Sequence, residues 1–114
     1  MTLIYKILSR AEWAAAKAAG RFEGSAVDHQ DGFIHLSAAD QAQETAARYF
    51  KDQADLVLLG IEAESLGEAL KWEASRGGAL FPHLYRPLLI SEVLSEAALS
   101  LDADGVPRLG DHLA

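Results

Sequence analysis

The sequence predicts a single α+β domain spanning residues 1–114, with two early helices packed on a bent or split, mainly antiparallel sheet. Three observations lead there. Both helix-start signals fall in the first half of the chain. Later segments are short apolar or alternating runs of strand length, and Gly or Pro breaks separate them.

Leu3 to Leu8 is an apolar run of strand length. Ser9-Arg10-Ala11-Glu12 then has capping-box form, with a hydroxyl to take a free backbone N–H and a carboxylate to reach back, so a helix follows to about Ala19. Gly20 stops it, because glycine tolerates the left-handed conformation just past a helix end. Phe22 to Val27 is a short extended piece, and Asp28-His29-Gln30-Asp31-Gly32 is expected to be a polar loop. In Asp31-Gly32-Phe33-Ile34-His35-Leu36-Ser37, Ile34 and Leu36 alternate with Phe33, His35 and Ser37, so a strand burying the aliphatic pair turns the imidazole and hydroxyl to the other face.

Ser37 is expected to cap a second, alanine-rich helix, on which Ala42, Ala46, Tyr49 and Phe50 recur at helical spacing. Leu56 to Ile61 is a continuous apolar run, the pattern of a strand covered on both faces. Leu70 and Trp72 alternate with Lys71 and Glu73 in the next strand, and Arg76-Gly77-Gly78 breaks it. Phe81 to Arg86 is extended between Pro82 and Pro87, and Leu88 to Leu94 is expected to resume as strand. Ala97 to Leu101 and Val106 to Leu109 are expected to close a hairpin about Asp104-Gly105, with the last residues fraying.

Composition excludes several classes of function. The absence of cysteine removes disulfides, thiolate metal sites and a cysteine nucleophile, leaving His, carboxylates, hydroxyls and Arg to do any chemistry. A net charge of -7 disfavours nonspecific nucleic-acid binding, which rests on Lys and Arg neutralising phosphates, yet a few local arginines suffice for a small anion. No run approaches the roughly 18 apolar residues of a membrane span, and the N-terminus lacks a basic region followed by an apolar one, so a cytoplasmic location is expected. There is no phosphate-cradling glycine loop or serine-nucleophile elbow. Asp28, His29, Asp31, His35 and His83 lack the spacing of a specific metal site, and none is expected.

Candidate site residues lie on two segments. His35 sits mid-strand on the face opposite the aliphatic pair, where an imidazole can hold one tautomer at a fixed position; the plainer reading is a half-buried histidine bonded to a neighbouring carbonyl. Ser37 borders it. In Phe81-Pro82-His83-Leu84-Tyr85-Arg86-Pro87, extended geometry puts His83 and Tyr85 on one face, stiffened by the prolines and suited to stacking on a planar ring; the alternative is an edge strand with two surface aromatics. Glu73 is placed to stabilise a developing positive charge or hold a ribose hydroxyl, unless it is a solvated surface glutamate. Arg76 and Arg86 are candidate phosphate clamps, with Arg10 or Arg21 as further contributors.

Taken together, Ile4-Tyr5-Lys6-Ile7, Asp31-Gly32-Phe33-Ile34-His35-Leu36-Ser37, Gln41, Tyr49-Phe50, Leu70-Lys71-Trp72-Glu73 and Phe81-Pro82-His83-Leu84-Tyr85 resemble the bacterial domain of unknown function family 952 over nearly the whole chain. That family's fold is similar to the ADP-ribosyltransferase fold, a split β structure with a central NAD cleft. The resemblance implies that His35 contacts a ribose, that Tyr85 or His83 stacks on nicotinamide, and that Glu73 is a candidate to hold a ribose hydroxyl. It implies a nucleotide-like small-molecule partner, with NAD as substrate and ADP-ribose cleaved or transferred. The alternative is a noncatalytic nucleotide- or small-ligand-binding module with the same cleft.

Overall fold

Two mainly apolar runs, Ile4 to Leu8 and Leu56 to Ile61, pair along their length and contribute to both layers of the core. In the computed structural model, which describes residues 1–113 apart from the side chain of Arg76, the chain runs β1 (Leu3–Ser9), α1 (Arg10–Ala19), β2 (Arg21–Phe22), α2 (Ala26–Asp31), β3 (Ile34–His35), β4 (Ser37–Ala38) and α3 (Ala39–Tyr49). It continues as β5 (Leu56–Glu62), β6 (Leu70–Ala74), β7 (Leu80–Leu84), β8 (Leu88–Leu89) and β9 (Val93–Ala98), with short 3₁₀ turns between. The strands form a four-stranded sheet ordered β4-β1-β5-β9, a three-stranded sheet ordered β3-β7-β6 and the pair β2-β8. Every pairing is antiparallel. The chain is therefore α+β with a divided antiparallel sheet. Among the described residues no helix is long and apolar enough to cross a membrane.

The period-two alternation of β1 and β5 explains how the layers stack. Ile4 and Leu8 join Val57, Leu59 and Ile61 on one face, where Trp13 and Ala16 of α1 and Ile34, Leu36 and Leu84 cover them. Tyr5 and Ile7 join Leu56 and Leu58 on the other, against Ala42 and Ala46 of α3 and Leu109. The alanines allow α3 to lie close to the sheet. Tyr49, expected on the buried side of this helix, is 60% exposed, because the face that meets the sheet has already closed around Ala42 and Ala46.

The predicted start and stop of α1 hold: the Ser9 hydroxyl accepts from the Glu12 amide, Glu12 accepts from the Ser9 amide, and Gly20 adopts φ 85°. Elsewhere local signals mislead. The expected polar loop is α2, started by the Ser25 amide donating to the Asp28 carboxylate and ended by left-handed Gly32. Ser37 does not cap α3. The cap position is Ala38, whose amide donates to the Gln41 side chain, and the Ser37 hydroxyl instead pairs with Thr45 at 3.1 Å. Leu88 to Leu94 is interrupted by a 3₁₀ turn at Ile90–Glu92, where the Glu92 carboxylate accepts from the Leu89 amide. The C-terminal hairpin reduces to one bridge, Leu101 to Pro107, because the Asp102 carboxylate collects the Asp104 and Val106 amides in a tight turn.

The expected single strand through Ser37 is split. Ile34 and His35 pair with Leu84 and His83 in the three-stranded sheet, whereas Ser37 and Ala38 pair with Tyr5 and Ile4 in the four-stranded one. Leu36 is the junction, buried in the core with its amide donating to the Pro82 carbonyl at 3.1 Å. Leu84, fully buried, faces Ile34 and Leu70 across both of its strand pairings and anchors the smaller sheet to this core. Leu84→Ala should therefore lower stability by about 2–5 kcal/mol in urea denaturation, the range for an unfilled aliphatic cavity.

Candidate functional site

The strand register assembles the candidate site. His35 lies opposite His83, and His83 lies opposite Lys71, so one row of side chains crosses all three strands of the smaller sheet. Glu73, two residues beyond Lys71, shares that face. Its Oε1 is 2.9 Å from His83 Nδ1 and accepts the Tyr85 hydroxyl at 2.6 Å. These bonds hold the Glu73 carboxyl below its ordinary range, Tyr85 contributing more than His83, and the same bond pushes the Tyr85 phenol up.

Phe33 sits among these rings. It stacks on His83 with centroids 4.0 Å apart and planes 26° apart, and lies 4.6 Å from His35 and 5.3 Å from Tyr85. The result is a wall of stacked and tilted rings edged by one carboxylate. A cavity of about 220 Å³ adjoins this wall, with Phe33, Tyr85, Arg86 and His29 in its lining. That is below the roughly 300–1,000 Å³ of sites that enclose a drug-sized ligand, so it admits one end of a larger molecule. A larger depression of about 440 Å³ near the C-terminus is lined by Gln43, Asp102, Arg108 and neighbours, and holds none of the candidate residues.

His35 is held from behind. Its Nδ1 is 2.6 Å from Asp28 Oδ1, and its backbone amide donates to the same oxygen at 3.0 Å. Asp28 Oδ2 accepts from Lys6 Nζ at 2.9 Å and from the Ser25 amide, and the Lys6 ammonium also donates to the His35 carbonyl at 3.0 Å. Lys6 and Asp28 are both buried. The imidazole keeps a third of its surface open, and its Nε2 meets the exposed Asp31 carboxylate at 2.9 Å.

Burial by itself would raise the Asp28 carboxyl. The His35 side chain, the Lys6 charge and the Ser25 and His35 amides outweigh it and hold the group far below the usual carboxylate range. Lys6 is lowered by its own burial against the pull of Asp28, so the ionised pair owes its existence chiefly to the many donors around the carboxylate.

Of the sequence candidates, the fold brings together His35, His83, Tyr85 and Glu73. Ser37 belongs to the other sheet and bonds Thr45. The Arg86 guanidinium is occupied by Glu92, at 2.8 and 2.7 Å, and also reaches the Leu66 carbonyl. Its role as an anion clamp is thus replaced by one in pinning the Ile90–Glu92 turn, although it lines the cavity. The Arg76 side chain lies outside the described residues. Among the described residues no group of three or more acidic or histidine side chains is arranged to hold a metal ion. Sequence reasoning weighed Phe33 only as a neighbour of His35 and Asp28 only as a metal ligand, and gave Lys6 no role in the site. The available signal was Lys6 itself, a charge within the otherwise apolar run Ile4 to Leu8.

The model of a family described as "Protein of unknown function (DUF952)" matches residues 7–96. The chain belongs to the DUF952 family. The X-ray crystal structure of protein CC0527 from Caulobacter crescentus is similar to it at 80% identity and a TM-score of 0.97, covering 98% of each chain. The solution NMR structure of CC0527 is 81% identical with a TM-score of 0.89, covering 100% of this chain and 98% of the other. No curated protein matches. DUF952 membership thus agrees with the resemblance carried by the two histidine motifs.

Two stability outcomes follow from the buried pair. Lys6→Met leaves the Asp28 charge uncompensated and should cost about 3–5 kcal/mol in urea denaturation. Because the folded Asp28 value lies below the unfolded one, its contribution is complete above the ordinary carboxylate range and is lost as pH falls toward the folded value. The stability difference between wild type and Asp28→Asn, followed by thermal melts, should therefore shrink steadily below about pH 5.

Proposed function

We propose that this DUF952 protein binds NAD against the Phe33, His35, His83 and Tyr85 wall and cleaves or transfers its ADP-ribose. The observation that carries the reading is the orientation of Glu73, whose carboxylate turns onto the same face as both histidines and is held there by His83 and Tyr85. The divided antiparallel sheet, with His35 on the strand that leaves one sheet for the other, is consistent with an ADP-ribosyltransferase-like fold.

In this reading the nicotinamide ring lies against the aromatic wall and His35 Nε2 takes a ribose hydroxyl. The bond from ribose C1′ to the nicotinamide nitrogen breaks with its electron pair leaving on nicotinamide. The C1′ oxocarbenium is then captured by water or an acceptor hydroxyl, which loses its proton. Glu73 supplies negative charge where positive charge develops, an effect whose removal costs about 10²–10³-fold in rate at comparable sites. Lys71, beside His83 in the same row, offsets the negative net charge of the chain where an anionic dinucleotide would lie.

A noncatalytic ligand-binding module is the second reading, favoured by one observation: the Glu73 carboxylate and both His35 ring nitrogens already have partners within the protein. Purified protein incubated with NAD separates the two. Catalysis predicts nicotinamide release, with Glu73→Gln slowing it by about 10²–10³-fold while binding persists. A module predicts a thermal shift with NAD or ADP-ribose, worth about 2.7 kcal/mol at a hundredfold excess over Kd, and no release. Neither release nor a shift at millimolar NAD would remove the NAD reading altogether.

A further inference from the structure

We infer that the buried Lys6–Asp28 ion pair is a positioning device that fixes His35 as its Nδ1–H tautomer, leaving Nε2 on the ligand face to accept a hydrogen bond from a ligand hydroxyl. A deprotonated carboxylate can only accept, so the 2.6 Å contact with Asp28 places a proton on Nδ1. By the same rule a doubly protonated ring would donate from Nε2 to Asp31 at 2.9 Å. The neutral ring has a single proton, which the fixed Asp28 keeps on Nδ1, so Nε2 is left with a lone pair from which the Asp31 carboxylate must turn away. The Nε2 partner, Asp31, is 43% exposed at the end of α2 and is free to give way, whereas Asp28 is 1% exposed and bonded on both oxygens.

The choice of residues supports a role beyond folding. A buried ion pair replaced by apolar groups of similar volume is often no less stable, so net stability alone does not account for burying Lys6 and Asp28. Here the pair grips three parts of one residue: Asp28 takes the His35 amide and imidazole, and Lys6 takes the His35 carbonyl. Backbone and ring are thus set together. The choice of a hydroxyl as the group received at Nε2 rests on the NAD reading; the tautomer does not.

Ring ¹⁵N NMR of the wild-type protein at about pH 8.5, two units above the ordinary imidazole value, tests this directly. The expected spectrum has the His35 proton on Nδ1 and a bare Nε2 whose resonance alone moves when ADP-ribose is added. A bare Nδ1 with the proton on Nε2 overturns the proposal without any variant. In Lys6→Met/Asp28→Leu, which removes both charges together, His35 should drift toward the Nε2–H tautomer that a free imidazole prefers. The NAD concentration for half-saturation should rise by at least about tenfold, by analogy with the losses that follow a misplaced histidine tautomer. A folded double variant with the wild-type tautomer and unchanged NAD binding also overturns it. An Nδ1–H ring in the wild type that ignores both NAD and ADP-ribose upholds the positioning device and removes the NAD reading instead.

Discussion

The arrangement around the candidate site depends on a charge that the core accepts. Lys6 projects from the middle of β1 on the same face as Ile4 and Leu8, into the layer where the two larger sheets meet. An isolated ammonium there would carry a desolvation penalty of several kcal/mol, and Asp28 meets it from α2. The bonds that ionise Asp28 come from three segments: the Ser25 turn, β1 and β3. One carboxylate thus ties the start of a short helix and one edge strand to the central strand of the main sheet.

The constraint also explains why α2 exists. Its six residues are too few for intrinsic helix stability. What holds them is the Asp28 carboxylate folding back on the Ser25 amide, left-handed Gly32 at the other end, and the anchoring of Asp28 to Lys6 and His35. Read locally, Asp28-His29-Gln30-Asp31-Gly32 has the composition of a loop. Only the partners that the rest of the chain delivers to Asp28 turn it into a helix, so tertiary contact overrides propensity here.

Where a residue pattern carries its own periodicity, the sequence was legible. The apolar runs Leu3 to Leu8 and Leu56 to Ile61, the Ser9–Glu12 box with Gly20, and the alanine spacing of α3 all state their environment within a few residues. His35, His83, Glu73 and Tyr85 could be nominated because each is a polar or aromatic group on a strand face opposite apolar neighbours. Ser37 and Arg86 misled because their nearest explanation, a cap and a phosphate clamp, ignored partners far away in the chain: Thr45 for one, Glu92 and Leu66 for the other. Phe33 was seen only as a neighbour of His35, since its stacking on His83 depends on a strand pairing that no local pattern announces.

The switch at Leu36 has a consequence for how this stretch can vary. Ile34 and His35 take their register from β7, Ser37 and Ala38 take theirs from β1, and a single buried residue separates the two. Strand faces alternate with a period of two, so one inserted or deleted residue anywhere from Ile34 to Ala38 would invert one sheet's side chains while leaving the other's in place. Either the imidazole would turn away from its ring wall or the Ser37 hydroxyl would leave Thr45. The length of this segment is therefore as strict a requirement as its composition.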